Sequence, residues 1–152
     1  MIQIKNYING KLSVSSNKKK INVFNPSIGQ IYAQCPNSNK IDLNNAIKSA
    51  ESSFPEWSCL KQKNRSEFLI KIADLIEDNL DEFAKAESID NGKPYKLSES
   101  LDVPRSIKNL RFFASIANEI ELESYKKNAI INHILRQPLG IVATISPWNL
   151  PL

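Results

Sequence analysis

The sequence predicts an α/β fold, and three features predict it. Strand and turn signals crowd the first 36 residues. Apolar residues then recur at helical spacing to about position 117. Last comes a near-continuous β-branched run, Pro138-Leu-Gly-Ile-Val-Ala-Thr-Ile-Ser146. Such a run marks a strand buried on both faces, as in a parallel sheet.

The first segment reads as a small antiparallel meander. Ile2 and Ile4 alternate with polar residues, and Asn9-Gly10 is a strong hairpin signal. Ile21-Asn-Val-Phe24 forms a short strand and Asn25-Pro-Ser-Ile-Gly29 a turn. Ile31-Tyr-Ala-Gln-Cys35 is a further strand, stopped by Pro36.

Helices follow. Leu43, Ala46, Ile47, Ala50 and Phe54 lie on one helical face, with Ser38 or Asn39 as the cap. Asp42 in the first turn suits the helix dipole, and Pro55 is expected to end the helix. A second helix starts near Gln62, with Leu69, Ile72, Ala73, Ile76 and Leu80 inward and Lys71, Asp74 and Asp78 outward. A third covers about 80–89, with Phe83, Ala84 and Ala86 inward. It stops at Asn91-Gly92, where glycine supplies a left-handed cap. Pro94 can open the next helix, which contains Leu97, Leu101, Ile107, Leu110, Ala114 and Ala117. Pro104 either kinks that helix or restarts it after an Asp102 cap. From 120 to 136 the helical pattern fades into an extended ribbon containing Ile130, His133 and Leu135.

Composition narrows the function classes. The 152 residues suffice for one domain of ordinary size, and 41% hydrophobic content excludes a disordered chain. No apolar run approaches the roughly 20 residues of a membrane span. Residues 1–20 lack the order of a signal peptide, so a cytoplasmic protein is expected. Net charge is 20 − 16 = +4, but it is carried mostly by lysine. Arginine, the bidentate reader of phosphates and bases, occurs only at Arg65, Arg105, Arg111 and Arg136, so no nucleic-acid partner is expected. Lys18-Lys19-Lys20 reads as a solvated turn. The chain stops on apolar residues with two prolines, after a strand that has no neighbour, and reads as cut in mid-fold.

Few residues offer chemistry. His133 stands alone, and Cys35 and Cys59 show neither metal spacing nor an activating context. Gly10, Gly29, Gly92 and Gly140 make no phosphate loop. Glu82, Glu87 and Asp90 read as solvated helix-face residues. Pro147-Trp148-Asn149 differs, because in open α/β sheets ligands bind past the carboxyl end of a strand. An asparagine there presents an amide donor to a developing oxyanion, with Trp148 as an apolar wall. The same residues also fit a turn with a core-packing tryptophan.

Pro147-Trp-Asn-Leu-Pro-Leu152 after an apolar run resembles the PWN-[FL]-P segment of the NAD(P)-dependent aldehyde dehydrogenase family. Tyr7-Ile-Asn-Gly-Lys11 resembles the family's opening turn, and Asn25-Pro-Ser-Ile-Gly-Gln30 its NPATGE. Phe54-Pro-Glu-Trp57 resembles its F-x-x-W, and residues 65–76 its R-x-x-x-L-x-x-x-A-D-L-I helix. Asp90-Asn-Gly-Lys-Pro94 and Arg136-Gln-Pro-Leu-Gly-Ile141 match two further stretches. All occur in the family's order. Cys35-Pro-Asn-Ser-Asn-Lys40, Phe83-Ala-Lys-Ala-Glu-Ser88, Asp102-Val-Pro-Arg-Ser106 and Arg111-Phe-Phe-Ala-Ser115 look most like the 2-amino- and 2-hydroxymuconic semialdehyde dehydrogenase branch. Betaine-aldehyde-type relatives stand close behind.

The resemblance implies the N-terminal part of a Rossmann-type coenzyme domain: β-meander, helices, oligomerisation ribbon and first parallel strand. Residues 1–119 would begin that domain, 120–138 would enter the ribbon that pairs subunits of a homo-oligomer, and 139–152 would return as first strand and turn. The resemblance makes Asn149 the side-chain donor to the thiohemiacetal oxyanion. It places Ile145, Ser146, Pro147 and Trp148 along the nicotinamide side of NAD or NADP, with NAD favoured. Asp90 falls where some relatives help bind a structural monovalent cation. The implied reaction oxidises an aldehyde to a carboxylic acid through a cysteine thiohemiacetal and thioester. The family's nucleophilic cysteine, its general-base glutamate and the residues that hold the adenosine ribose lie downstream. The catalytic domain is thus expected to be absent and this chain silent alone. The alternative is a non-catalytic helical interaction module derived from such an enzyme.

Overall fold

The computed structural model describes residues 1–119 and 123–152. The first 36 residues are more complex than a meander. β1 (Ile2–Gln3) pairs in parallel with β5 (Gln30–Pro36), and β4 (Lys20–Asn25) pairs with β5 from the other side, antiparallel. The sheet order is therefore β1-β5-β4, with Ala33 fully buried on the central strand. β2 (Asn6–Ile8) and β3 (Lys11–Ser13) form a separate hairpin. Asn9 and Gly10 make its turn, with φ of 52° and 72°. Parallel strands need a long connection, and the hairpin plus β4 supplies it between β1 and β5.

α1 spans Lys40–Cys59. Asn39 caps it by accepting from the Ile41 and Asp42 amides, and Asp42 accepts back from the Asn39 amide at 3.0 Å. Asp42 also accepts from the Ser16 amide at 2.8 Å, which ties the loop after β3 to the helix start. Pro55 does not end α1 but lies inside it. Proline removes one amide donor there, yet the last turn is held from outside. Trp57 packs against Phe68 of the next helix with ring centroids 5.4 Å apart, and the Leu60 amide donates to the Trp57 carbonyl.

α2 (Gln62–Asp78) and α3 (Leu80–Asn91) meet at Asn79. α3 ends as expected on Gly92, whose φ is 77° and whose amide donates to the Ser88 carbonyl. The short α4 (Tyr95–Leu97) runs into a π-helical turn, Ser98–Asp102, and then into α5 (Val103–Glu119). Pro104 sits in the first turn of α5, where its missing donor costs least. Asp102 belongs to the π-turn and directs its carboxylate elsewhere, so it is not a cap.

The core is formed by Ala73 and Ile76 of α2, Ala84 of α3, and Val103 and Ile107 of α5. Leu80, Phe83, Tyr95 and Leu110 pack around it. The helical spacing located this core, but not every apolar residue reaches it. Leu43, Ile72 and Ala86 are exposed.

β6 (Glu123–Lys127) and β7 (Ile130–Ile134) form the expected ribbon as an antiparallel hairpin. Its expected first positions, 120–122, lie outside the described residues. The parallel strand expected over 139–146 is not present as a strand: no ladder forms there among the described residues. A parallel strand exists only through bonds to neighbours, and none of β1–β7 runs beside this segment. Leu139 is 96% exposed and Ile145 98%.

Candidate active site at the Pro147–Asn149 turn

The site is a tight turn at the end of the apolar run. The Leu150 amide approaches the Pro147 carbonyl at 3.4 Å, which places Trp148 and Asn149 at the tip. Trp148 is 85% exposed, so it is not a core-packing residue. Asn149 is exposed, and no hydrogen bond to its side chain forms among the described residues. Its amide is thus free to donate to an oxyanion.

One contact docks this segment on the helical body. Ser106 Oγ, on α5, donates to the Leu152 carbonyl at 3.0 Å. Further upstream, Ile141 and Val142 line a groove of about 900 Å³ together with Phe54, Trp57, Phe68 and Leu69. The groove lies between α1, α2 and the segment leading to the turn, and it does not include 145–149. Ile145, Ser146, Pro147 and Trp148 are all exposed and lie outside that groove.

Asp90 lies at the end of α3, away from that turn in sequence. Its Oδ1 accepts from the Tyr32 hydroxyl at 2.6 Å, which joins α3 to β5. Partial burial, with the Asp90 hydrogen bond, pushes the Tyr32 phenol up to about 12. Among the described residues no three His, Cys, Asp or Glu side chains gather as a metal site. A cation beside Asp90 would need carbonyl oxygens for its other ligands. His133 lies on β7, Cys35 is half-buried on β5, and Cys59 is exposed at the end of α1.

The sequence reading missed a buried charge cluster. Glu87, expected on a solvated face, is buried and accepts from Lys93 Nζ at 3.0 Å. Asp102, also buried, accepts from the same ammonium at 2.8 Å. Burial pulls Lys93 down, but the carboxylates of Asp102 and Glu87 outweigh it and hold the ammonium above its usual range. The signal lay in Asn91-Gly92: the left-handed cap folds the chain back and lays Lys93 over the last turns of α3. The Ser88 hydroxyl fixes that return by donating to the Lys93 carbonyl at 2.7 Å.

Similarity to known proteins fits this architecture. Residues 13–152 match the model of the aldehyde dehydrogenase family. The chain is 40% identical to human 2-aminomuconic semialdehyde dehydrogenase, across 100% of this chain and 31% of that protein. It is 32% identical to 2-hydroxymuconic semialdehyde dehydrogenase of Pseudomonas sp. strain CF600, again across 100% of this chain and 32% of that one. Among solved structures, PnpE in complex with nicotinamide adenine dinucleotide superposes with a TM-score of 0.94 at 35% identity, covering 99% of this chain and 31% of that chain. KauB from Pseudomonas aeruginosa superposes with a TM-score of 0.94 at 30% identity, covering 100% and 31%. The chain thus spans about a third of the length of the relatives it matches. No helix among the described residues is long and apolar enough to cross a membrane. From the turn motif, the ordered helices and these matches together, the chain belongs to the aldehyde dehydrogenase family.

Proposed function

We propose that this chain supplies the N-terminal part of the coenzyme domain of an NAD(P)-dependent aldehyde dehydrogenase, with NAD the favoured coenzyme. The observation that carries the reading is the free Asn149 amide at the tip of an exposed turn, in a chain of this family. Asn149 donates to the oxyanion that forms when a thiolate adds to the aldehyde carbonyl. Ile145 to Trp148 lie along the nicotinamide. The coenzyme, when bound, accepts the hydride released by that adduct. Residues 1–119 begin the coenzyme domain, 120–138 enter the ribbon that joins subunits of a homo-oligomer, and 139–152 return to the domain. Substrates are semialdehydes of the 2-amino- or 2-hydroxymuconic class, a reading supported by the relatives of that name. Residues 1–152 alone do not turn over aldehyde, because the nucleophile and base are carried elsewhere in the enzyme.

The test uses the product of the whole open reading frame. Asn149→Ala is expected to lower kcat by about 10²–10³ with coenzyme binding retained. A kcat within about twofold of the unaltered enzyme would show that Asn149 is not the oxyanion donor.

A further inference from the structure

Ser106 joins α5 to the C-terminal segment that carries the Pro147–Asn149 turn. It stands in the second turn of α5, half-buried, 46 residues before its partner. Its single hydroxyl proton has two acceptors in reach. One is the Asp102 carbonyl at 3.2 Å, the usual back-bond of a helical serine. The other is the Leu152 carbonyl at 3.0 Å. The second draws the hydroxyl out of the helix and toward the segment that carries the Pro147–Asn149 turn. Exposure varies along this segment in step with that anchor. Ile145 and Trp148 are 98% and 85% exposed, whereas Leu150 and Leu152 fall to 38% and 41%. The turn is thus held from its C-terminal side, while its tip stays open.

We propose that Ser106 is a positioning residue for this turn: its hydroxyl, donated to the Leu152 carbonyl, sets the orientation in which Asn149 presents its amide. The base of the hydroxyl is rigid, because Asp102 one turn earlier is fixed by Lys93 and Ile107 beside it is buried in the core. A donor on that base limits the turn to a narrow set of orientations. Oxyanion stabilisation depends on such orientation, since the donor must already point to where charge develops. The catalytic consequence rests on the reading of Asn149 given above, but the anchoring itself does not.

Two measurements separate the two claims. The first uses residues 1–152 with an amidated C-terminus, so that Leu152 presents a neutral carbonyl, labelled with nitrogen-15 and kept below the concentration of self-association; it reads the order parameter of the Asn149 backbone amide. Ser106→Ala is expected to lower it, and Ser106→Thr, which keeps a hydroxyl at the same place, to preserve it. Alanine is the best helix former, so a fall cannot be assigned to loss of α5, and the far-ultraviolet helical signal checks this. An unchanged order parameter in Ser106→Ala overturns the anchoring. The second uses the whole-frame enzyme. Ser106→Ala is expected to lower kcat roughly tenfold with KM for coenzyme and thermal midpoint unchanged, and Ser106→Thr to restore most of it. If Asn149→Ala is severely impaired while Ser106→Ala keeps full kcat, the positioning role is overturned and the Asn149 reading stands. If Asn149→Ala is unimpaired, the Asn149 reading falls and with it the catalytic consequence, whatever the order parameter shows.

Discussion

Lys93 Nζ lies 2.8 Å from Asp102 Oδ2, and this pair joins the return after α3 to the π-helical turn that leads into α5. The same ammonium holds Glu87 at 3.0 Å. Glu87 and Asp102 are only 5% and 7% exposed. Neither carboxylate can be rehydrated without opening the contact between α3 and the start of α5. Removing the cation is therefore worse than removing one anion. Lys93→Met is expected to destabilise by about 2–3 kcal/mol, at or below the usual range of about 3–5 kcal/mol for broken buried pairs because the lysine keeps some water contact. Glu87→Gln should cost clearly less, since Asp102 then retains its partner. Urea unfolding at neutral pH measures both, and equal losses would contradict the cluster as drawn.

The pH dependence of folding should show this cluster at one end of the scale. Lys93 is held above the ordinary lysine value of 10.5 by its carboxylates. A raised folded value means that its contribution is fully present below 10.5 and is lost as pH climbs through the folded value. At the other end stands Asp42, held below the usual carboxylate value of 3.8 by the Asn39 and Ser16 amides. Its contribution is present above 3.8 and is lost as pH falls through the depressed folded value. Asp42→Asn should flatten the acid limb of a stability-against-pH curve and leave the alkaline limb unchanged. Lys93→Met should flatten the alkaline limb.

Gly92 faces two constraints at once. Its φ of 77° strains any residue with a Cβ, and a Cβ built there would meet Pro26 Cγ at 2.8 Å. Gly92→Ala is expected to destabilise by about 2 kcal/mol, the left-handed penalty with a steric addition. A double-mutant cycle separates the two. In a Pro26→Ala background the steric part should vanish and the backbone part, about 1 kcal/mol, should remain.

These residues also show what the sequence could and could not reveal. The Asn39 cap, the Gly92 stop and the inward face of Ala73 and Ile76 were readable because each depends on neighbours within about one helical turn. The turn at Pro147–Leu150 was readable because its prolines and polar tip are local signals. The Lys93 cluster was hidden because its members meet only after the chain reverses at Gly92. The parallel β1–β5 pairing was hidden because two-residue strands carry no periodicity. Pro55 misled because a local rule was outweighed by the distant contact of Trp57 with Phe68. Ser106 carried no signal at all, since its partner lies 46 residues away.

The apolar stretch before the turn leads to a last prediction. Leu139 and Ile145 are 96% and 98% exposed and contribute nothing to the core of residues 1–119. Exposed apolar residues in an extended segment with free backbone donors promote association between chains. Residues 1–152 are therefore expected to self-associate as concentration rises. Leu139→Lys combined with Ile145→Lys should raise the soluble concentration severalfold while shifting unfolding free energy by less than about 0.5 kcal/mol, the usual range for exposed sites. Sedimentation and urea unfolding of the two chains make the comparison. A large loss of stability in the doubly substituted chain would mean that Leu139 and Ile145 take part in the fold.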